Sequence, residues 1–406
     1  MENVATALIW VAGSASVLLV MAVAAELAAR WAIGRSGYYV LPPGLRLHLQ
    51  PDPDVFPNLE RSVRFEVNRD GERGDDVTKS RGLYRILVAG GSQPEGYLLD
   101  QDTSWPGALQ RALNRPEPLA ALGASRVHVG SIARSGVGSE ALDLILSRVL
   151  PRYERLSAIV LLVGASDVLR WLEVGAPSTP PPPVRVADVF RIHPEMSFRW
   201  RPRHLAVLEV VRRVRHRWLR PVQVHQRACR WIARARAMRA RATDLRTTTP
   251  DAAPMLRHFE LHFRRAIARA RAHADRVIVV RQPWFAQART AEELALMWHG
   301  GTGQAWQEEV STFYSLEVLS DLMSQLDRRA AALALELDVE QLDLMPGLEG
   351  SVETYYDFFH ATPAGARVIA AAVAAAVRDP VYAPIPVRRV DPGRVPAESL
   401  RLAGNV

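Results

Sequence analysis

The stretch RILVAGGSQPEG, residues 85–96, runs three apolar residues, Ile86, Leu87 and Val88, straight into two glycines and a serine, Ser92. A serine at the exit of a buried strand can cap a helix, contact a phosphate or act as a nucleophile. Far along the chain, YYDFFHATPAG, residues 355–365, supplies Asp357 and His360. Three residues apart on a turn, an aspartate can accept a hydrogen bond from one imidazole nitrogen while the other nitrogen faces a serine hydroxyl. That is the nucleophile, base and orienting acid of acyl transfer. Alone, Ser92 reads as a cap or turn residue; joined with Asp357 and His360, it reads as a nucleophile.

These residues need a scaffold that brings them together. Short apolar runs suited to buried parallel strands occur at Ile86–Val88, Val127–Val129, Ile159–Val163, Val277–Val280 and Val339–Leu342, with helical periodicity between them at 107–114, 138–150, 256–274, 315–336 and 363–378. Strand alternating with helix predicts an α/β fold with a doubly wound parallel sheet, whose ligand crevice lies at the carboxyl ends of the strands. Ser92 sits at such an end. So do Gly136 and Gly138 in SIARSGVGS, and Ser166 and Asp167 in VGASDV. Asp167 reads as the cap of the next helix. Thr362 and Pro363 form a good start for the last helix, which places Asp357 and His360 on its entering loop.

Composition removes several alternatives. The single cysteine, Cys229, excludes an intrachain disulfide and a cysteine-based zinc cluster. GGSQPEG lacks the lysine and spacing of a phosphate-binding loop and is a poor dinucleotide fingerprint, so no cofactor is expected. Histidines 204, 216, 225, 258, 262 and 273 lie on arginine-rich helices without a visible pair of acidic partners, so no metal is expected there. His299, in MWHGGTGQAW, reads as part of a glycine-rich surface loop near substrate, with a structural role preferred to a functional one.

From Val4 to Ala25 there is no charged residue, and twenty-two residues as a helix span about 33 Å, the thickness of a hydrocarbon core. The sequence therefore divides into a transmembrane anchor at 1–30, an extended lead-in with a hairpin at 31–84, an α/β domain at 85–378 and a proline-rich tail at 379–406. The lead-in contains RFEVNRDGERG, an alternating strand that meets an Asp-Gly turn. GAPSTPPPPV, residues 175–184, opens an insertion to about residue 255. Residues 199–246 within it hold fifteen arginines against two acids, Glu209 and Asp244, in a chain of net charge +8. Three readings of this segment stand open: amphipathic helices against anionic lipid, a groove for an acidic polysaccharide, or a plain solvated face. A nucleic-acid partner is not expected.

Over about residues 40 to 378 the chain resembles the SGNH, or GDSL-type, hydrolase superfamily in its bacterial membrane-anchored form. The resemblance is carried by NRDGERG, ILVAGGSQPEGYLLDQDTSWPGAL and DFFHATPAGARVIA. It implies a flavodoxin-like sheet, no metal, and hydrolysis or transfer of an O-acyl ester, typically an O-acetyl group of an envelope or exported glycan. It also implies that Ser92 is the nucleophile, His360 the base, Asp357 the orienting acid, and that the Ser92 amide, Gly136 and Ser166 hold the oxyanion. Two departures stand out. Gly91 replaces the usual aspartate of Gly-Asp-Ser, and Ser166 stands where the family has an asparagine. The competing expectation is a catalytically degenerate module that binds glycan or scaffolds an envelope assembly. Arginines after the anchor favour a cytoplasmic body; the resemblance implies the opposite, an extracytoplasmic one, and is given the greater weight.

Overall fold

The computed structural model describes residues 2–379 except 79, 219–221, 226, 287, 289, 306 and 349. The expected proline-rich tail thus lies, but for its first residue, outside the described residues. A long helix α1 (Glu2–Gly34) precedes strands β1 (Arg46–Gln50) and β2 (Val63–Glu66). The α/β pattern then begins with β3 (Leu83–Gly90), the single turn α2 (Ser92–Glu95), α3 (Trp105–Leu113), β4 (Arg126–Ser131), α4 (Ser139–Val149), β5 (Leu156–Leu162) and α5 (Ala165–Glu173). The insertion contributes α6 (Ala206–Trp218), β6 (Val222–His225) and α7 (Arg227–Ala240). After it come α8 (Ala253–His273), β7 (Ala274–Val280), α9 (Leu316–Glu336), β8 (Glu340–Leu342) and α10 (Pro363–Arg378).

The central sheet has the order β8-β7-β5-β3-β4, and every pair in it is parallel. Counted from β3, this is the 2-1-3-4-5 order of a flavodoxin-like doubly wound sheet. The strand residues Ile86–Gly90 and Ala158–Leu162 are buried without alternation, as strands covered on both faces must be. Helix α4 packs with α8, and α3 with α10. The chain moves from β3 out to β4 and returns to β5 on the other side. The carboxyl ends of β3 and β5 therefore flank the switch point, and there the crevice opens.

The lead-in and the insertion are knitted together. β1 pairs antiparallel with β2 and parallel with β6, so one small sheet takes strands from both segments. The expected hairpin in RFEVNRDGERG is present as β2 and a turn: the Asn68 side chain accepts from the amides of Asp70 and Glu72 at 2.9 and 3.0 Å, and Val67 bridges Arg73. Arg73 in turn bridges Ser131 at the end of β4, which fastens the turn to the central sheet.

At Gly90 the chain comes so close to β5 that a Cβ would lie 1.8 Å from the Leu162 carbonyl oxygen. No side chain can move aside, because the obstacle is backbone. Gly90→Ala is expected to lower stability by about 3 kcal/mol or more, checked by thermal or denaturant unfolding of the purified protein.

Candidate active site

Ser92 is positioned from three directions. The Gly91 amide donates to the Leu162 carbonyl at 3.1 Å, which locks the strand exit to β5. Ser92 then opens the turn α2, so its own amide has no acceptor within the helix. The turn ends at Gly96 in the left-handed region, φ 56°. Beneath it lies the buried Arg73, whose guanidinium donates to the carbonyls of Glu95, Gly96 (2.8 Å) and Leu99 (2.6 Å). Burial pulls the Arg73 pKa down to about 10, still well above neutrality. The buried Glu95 carboxyl receives the Ser135 amide at 2.7 Å and the Ser135 hydroxyl, and burial raises its pKa. The same contacts tie α2 to the loop that carries Gly136.

Asp357 and His360 are fixed by the start of α10. The Thr362 hydroxyl accepts from the Gly365 amide at 3.2 Å as the helix cap, and Pro363 occupies the first turn. Within the loop, Asp357 Oδ1 accepts the amides of Phe359 and His360, each at 2.9 Å. Asp357 Oδ2 lies 2.8 Å from His360 Nδ1, and His360 Nε2 lies 2.7 Å from Ser92 Oγ. The three residues named from the sequence are thus within hydrogen-bond reach in the order required of nucleophile, base and orienting acid. The Tyr356 ring stacks on the imidazole with centroids 5.4 Å apart and planes 8° from parallel.

The electrostatics follow from burial. Asp357 is wholly buried, which alone would raise its pKa; the neighbouring imidazoles and the amide donors outweigh that and hold it well below the carboxylate range. For His360 burial opposes the charged form, but the Asp357 carboxylate prevails and raises the pKa above the usual histidine value.

Trp298 was not singled out by the sequence. Its Nε1 donates to Asp357 Oδ2 at 3.0 Å, and its ring stacks on His299 with centroids 3.8 Å apart. Nothing local in MWHGG announces this contact, since its partner is 59 residues away. His299 corrects the surface-loop expectation: it is buried, its ring centroid lies 6.0 Å from that of His360, and burial pushes its pKa down to about 3, so it is neutral. The glycines around it permit close packing rather than exposure.

A cleft of about 280 Å³ opens over Ser92 and His360, with Gly136, Ser166, Trp298 and Glu173 also in its wall. Gly136 has φ +78°, and its missing Cβ faces the Arg170 guanidinium. Its rival Gly138 instead caps α4 and lies against the Asp167 carboxylate. Asp167 corrects the expectation that it caps the next helix: from the first turn of α5 it reaches back to the start of α4, accepting the Ser139 amide at 2.9 Å and hydroxyl at 2.6 Å. Ser166 stands beside the strand exit, its Oγ 3.8 Å from where a Gly91 Cβ would be. Burial raises Glu173 to about 7, so a carboxyl titrating near neutrality lines the cleft.

The arginine-rich insertion is partly structural. From α7, Arg236 donates to the carbonyls of Val55 (2.5 Å), Leu296 (3.1 Å) and Tyr356 (2.9 Å), while Arg239 donates to those of His299 and Tyr314. Two arginines of a segment expected to face lipid, glycan or water thus hold the loops on either side of Asp357. His258 and His262 also differ from expectation. Acidic partners come from α4: Glu140 lies 3.2 Å from His258, and Asp143 lies 3.3 Å from His262 and 2.6 Å from Arg269. Glu140, His258 and His262 bring their potential ligand atoms within 4.8 Å of one another, and these side chains, with Asp143 and Arg269, join α4 to α8.

Solved structures similar to this chain include Axe2, an acetylxylan esterase from Geobacillus stearothermophilus, at 12% identity and a TM-score of 0.38, covering 72% of this chain and 94% of that one. Others are a member of the lipolytic protein G-D-S-L family from Veillonella parvula (10%, 0.38, covering 72% and 96%) and the M. smegmatis aryl esterase (14%, 0.39, covering 73% and 98%). No family model and no curated protein matches the sequence.

His360 is expected to titrate above about 6.5 in the wild type, because the Asp357 charge outweighs burial. In Asp357→Asn burial is opposed only by the smaller effect of the Glu95 carboxylate, and the midpoint should fall below its wild-type value. NMR titration of histidine-labelled protein reads both, and an unchanged midpoint would contradict the assigned electrostatics.

Proposed function

We propose that this protein is a serine ester hydrolase of the SGNH type, anchored by α1 and acting through an acyl-serine intermediate. The observation that carries the reading is the continuous chain from Ser92 Oγ to His360 Nε2 at 2.7 Å and from His360 Nδ1 to Asp357 Oδ2 at 2.8 Å. His360 takes the hydroxyl proton as Ser92 Oγ bonds to the ester carbonyl carbon. The negative charge on the carbonyl oxygen meets the Ser92 amide, the Gly136 amide and Ser166. The imidazolium, stabilised by Asp357, then returns the proton to the departing alcohol. Water, deprotonated in its turn by His360, releases the acid and restores the hydroxyl.

The substrate class follows from the resemblance noted in the sequence: an O-acyl ester, most simply an O-acetyl group on an envelope or exported glycan. With a sugar hydroxyl in place of water, the same acyl-serine would give transfer. No cofactor enters the reaction as drawn.

A serine-directed fluorophosphonate is expected to label the wild type and leave Ser92→Ala unlabelled. Ser92→Ala and His360→Ala should each lose hydrolysis of short-chain nitrophenyl esters by about 10³-fold or more, and Asp357→Asn should lose less. Labelling that persists in Ser92→Ala sinks the assignment; a wild type that neither labels nor turns over favours the degenerate binding module.

Ser166 gives a second test. Its hydroxyl is shorter than the asparagine amide of the resembling family, and one oxyanion donor is worth about 10²–10³ in turnover. Ser166→Asn is expected to raise kcat by up to about 10²-fold; a fall would mean that the site has repacked around serine.

A further inference from the structure

The end of α1 is built into the body of the protein. Glu26, buried to 2% exposure, accepts the amides of Ala206 and Val207 at 2.9 and 3.0 Å and so caps the start of α6. Arg30 pairs with Glu26 at 2.8 Å, donates to the Phe198 carbonyl at 2.7 Å, and lies 4.4 Å over the Trp200 ring. Ala29 and Ile33 close a small apolar cluster with Ala206. Because α1 is one unbroken helix to Gly34, no flexible joint separates the apolar run from this junction.

The junction begins at the residue where the uncharged run Val4–Ala25 stops. If that run fills a hydrocarbon core, Glu26 and the start of α6 lie at its boundary. The side of α6 that does not meet α1 carries Leu208, Val211 and Val214, spaced i, i+3 and i+6 and exposed by 46, 58 and 52%. Trp31, next to Arg30 in α1, and Trp200, under the Arg30 guanidinium, are exposed by 64 and 61%, and such rings are enriched at membrane–water boundaries. Arg201, Arg203 and Arg215 lie near the stripe in the chain, as does Arg212, which also pairs with Glu209 at 2.7 Å; such side chains are long enough to keep their charged heads among lipid headgroups while the stems lie on apolar surface.

We propose that α6 is an interfacial helix, its Leu208–Val211–Val214 stripe seated in the surface of an anionic bilayer next to the emerging α1. Three observations select this occupant over water or an acidic polymer: the packing of α6 against the end of an exposed apolar helix, the nearby tryptophans, and the arginines beside the apolar residues. An acidic polysaccharide would match the arginines but leave the valines and leucine wet. The inference is independent of the chemistry at Ser92.

The test uses the full chain in nanodiscs of phosphatidylcholine, with or without phosphatidylglycerol. Val211→Cys, made in a Cys229→Ser background so that one thiol remains, carries an environment-sensitive fluorophore. A nitroxide on the lipid chain near the headgroup is expected to quench the label at least twofold, while aqueous iodide leaves it nearly untouched. Quenching by iodide and not by the lipid nitroxide overturns the proposal. Phosphatidylglycerol should deepen the lipid quenching, and Arg212→Gln with Arg215→Gln should remove that increment. Equal quenching in neutral and anionic discs overturns the assignment to an anionic surface.

Discussion

The carboxylate of Asp357 is sealed from solvent, and much of the surrounding architecture exists to satisfy it. An uncompensated buried charge costs several kcal/mol, so each hydrogen bond to it constrains the segment that supplies the donor. Two donors are amides of its own loop, one is the imidazole of His360, and one is the indole of Trp298. The loop amides require the turn that leads into Thr362 and Pro363. The indole requires the glycine-rich segment after Met297 to fold inward. Both neighbouring backbones are gripped from outside by arginines of α7, at Tyr356 and at His299. The orientation of His360 toward Ser92 is the outcome of this set of constraints rather than of a single contact.

Arginine does similar work beneath the serine. Arg73 meets three carbonyls at and just after the end of the short turn α2, and it reaches them from a turn fastened to β4. A planar group with five donors suits that task better than an ammonium would, because several carbonyls can be met at once without rearrangement. The near-exclusive use of arginine over lysine in this chain reads as a compositional bias, yet at Arg73, Arg236 and Arg239 the fold uses the fork geometry directly.

The sequence is most readable where function depends on local pattern. The five strands announce themselves as apolar runs, Thr362 and Pro363 mark the last helix, and Ser92 and His360 follow from their places at a strand exit and a helix entrance. What it hides depends on distant partners. Trp298 gives no sign that it points at residue 357, and a histidine among glycines looks exposed until Phe359 and Trp298 are seen to enclose it. Asp167 obeys capping chemistry but serves the helix beginning at Ser139, a choice made by the fold, which brings the starts of α4 and α5 together, and not by sequence distance. The insertion misleads because arginines at helical spacing look alike whether they face water or buried carbonyls.

The small sheet made by β1, β2 and β6 sets the size of the smallest unit that can fold. Trimming the chain to residue 85, where the α/β pattern starts, would strip β6 of its neighbour, remove Arg73 from under α2 and remove Phe65, which is buried to 1% exposure, from the core. An autonomous soluble fragment must instead begin between Gly34 and Tyr39, since Tyr39 already pairs with Ile192 in the body. Even there the loss of Glu26 leaves the first amides of α6 uncapped. If α1 anchors the chain as proposed, release from the bilayer and integrity of the fold compete directly over about a dozen residues.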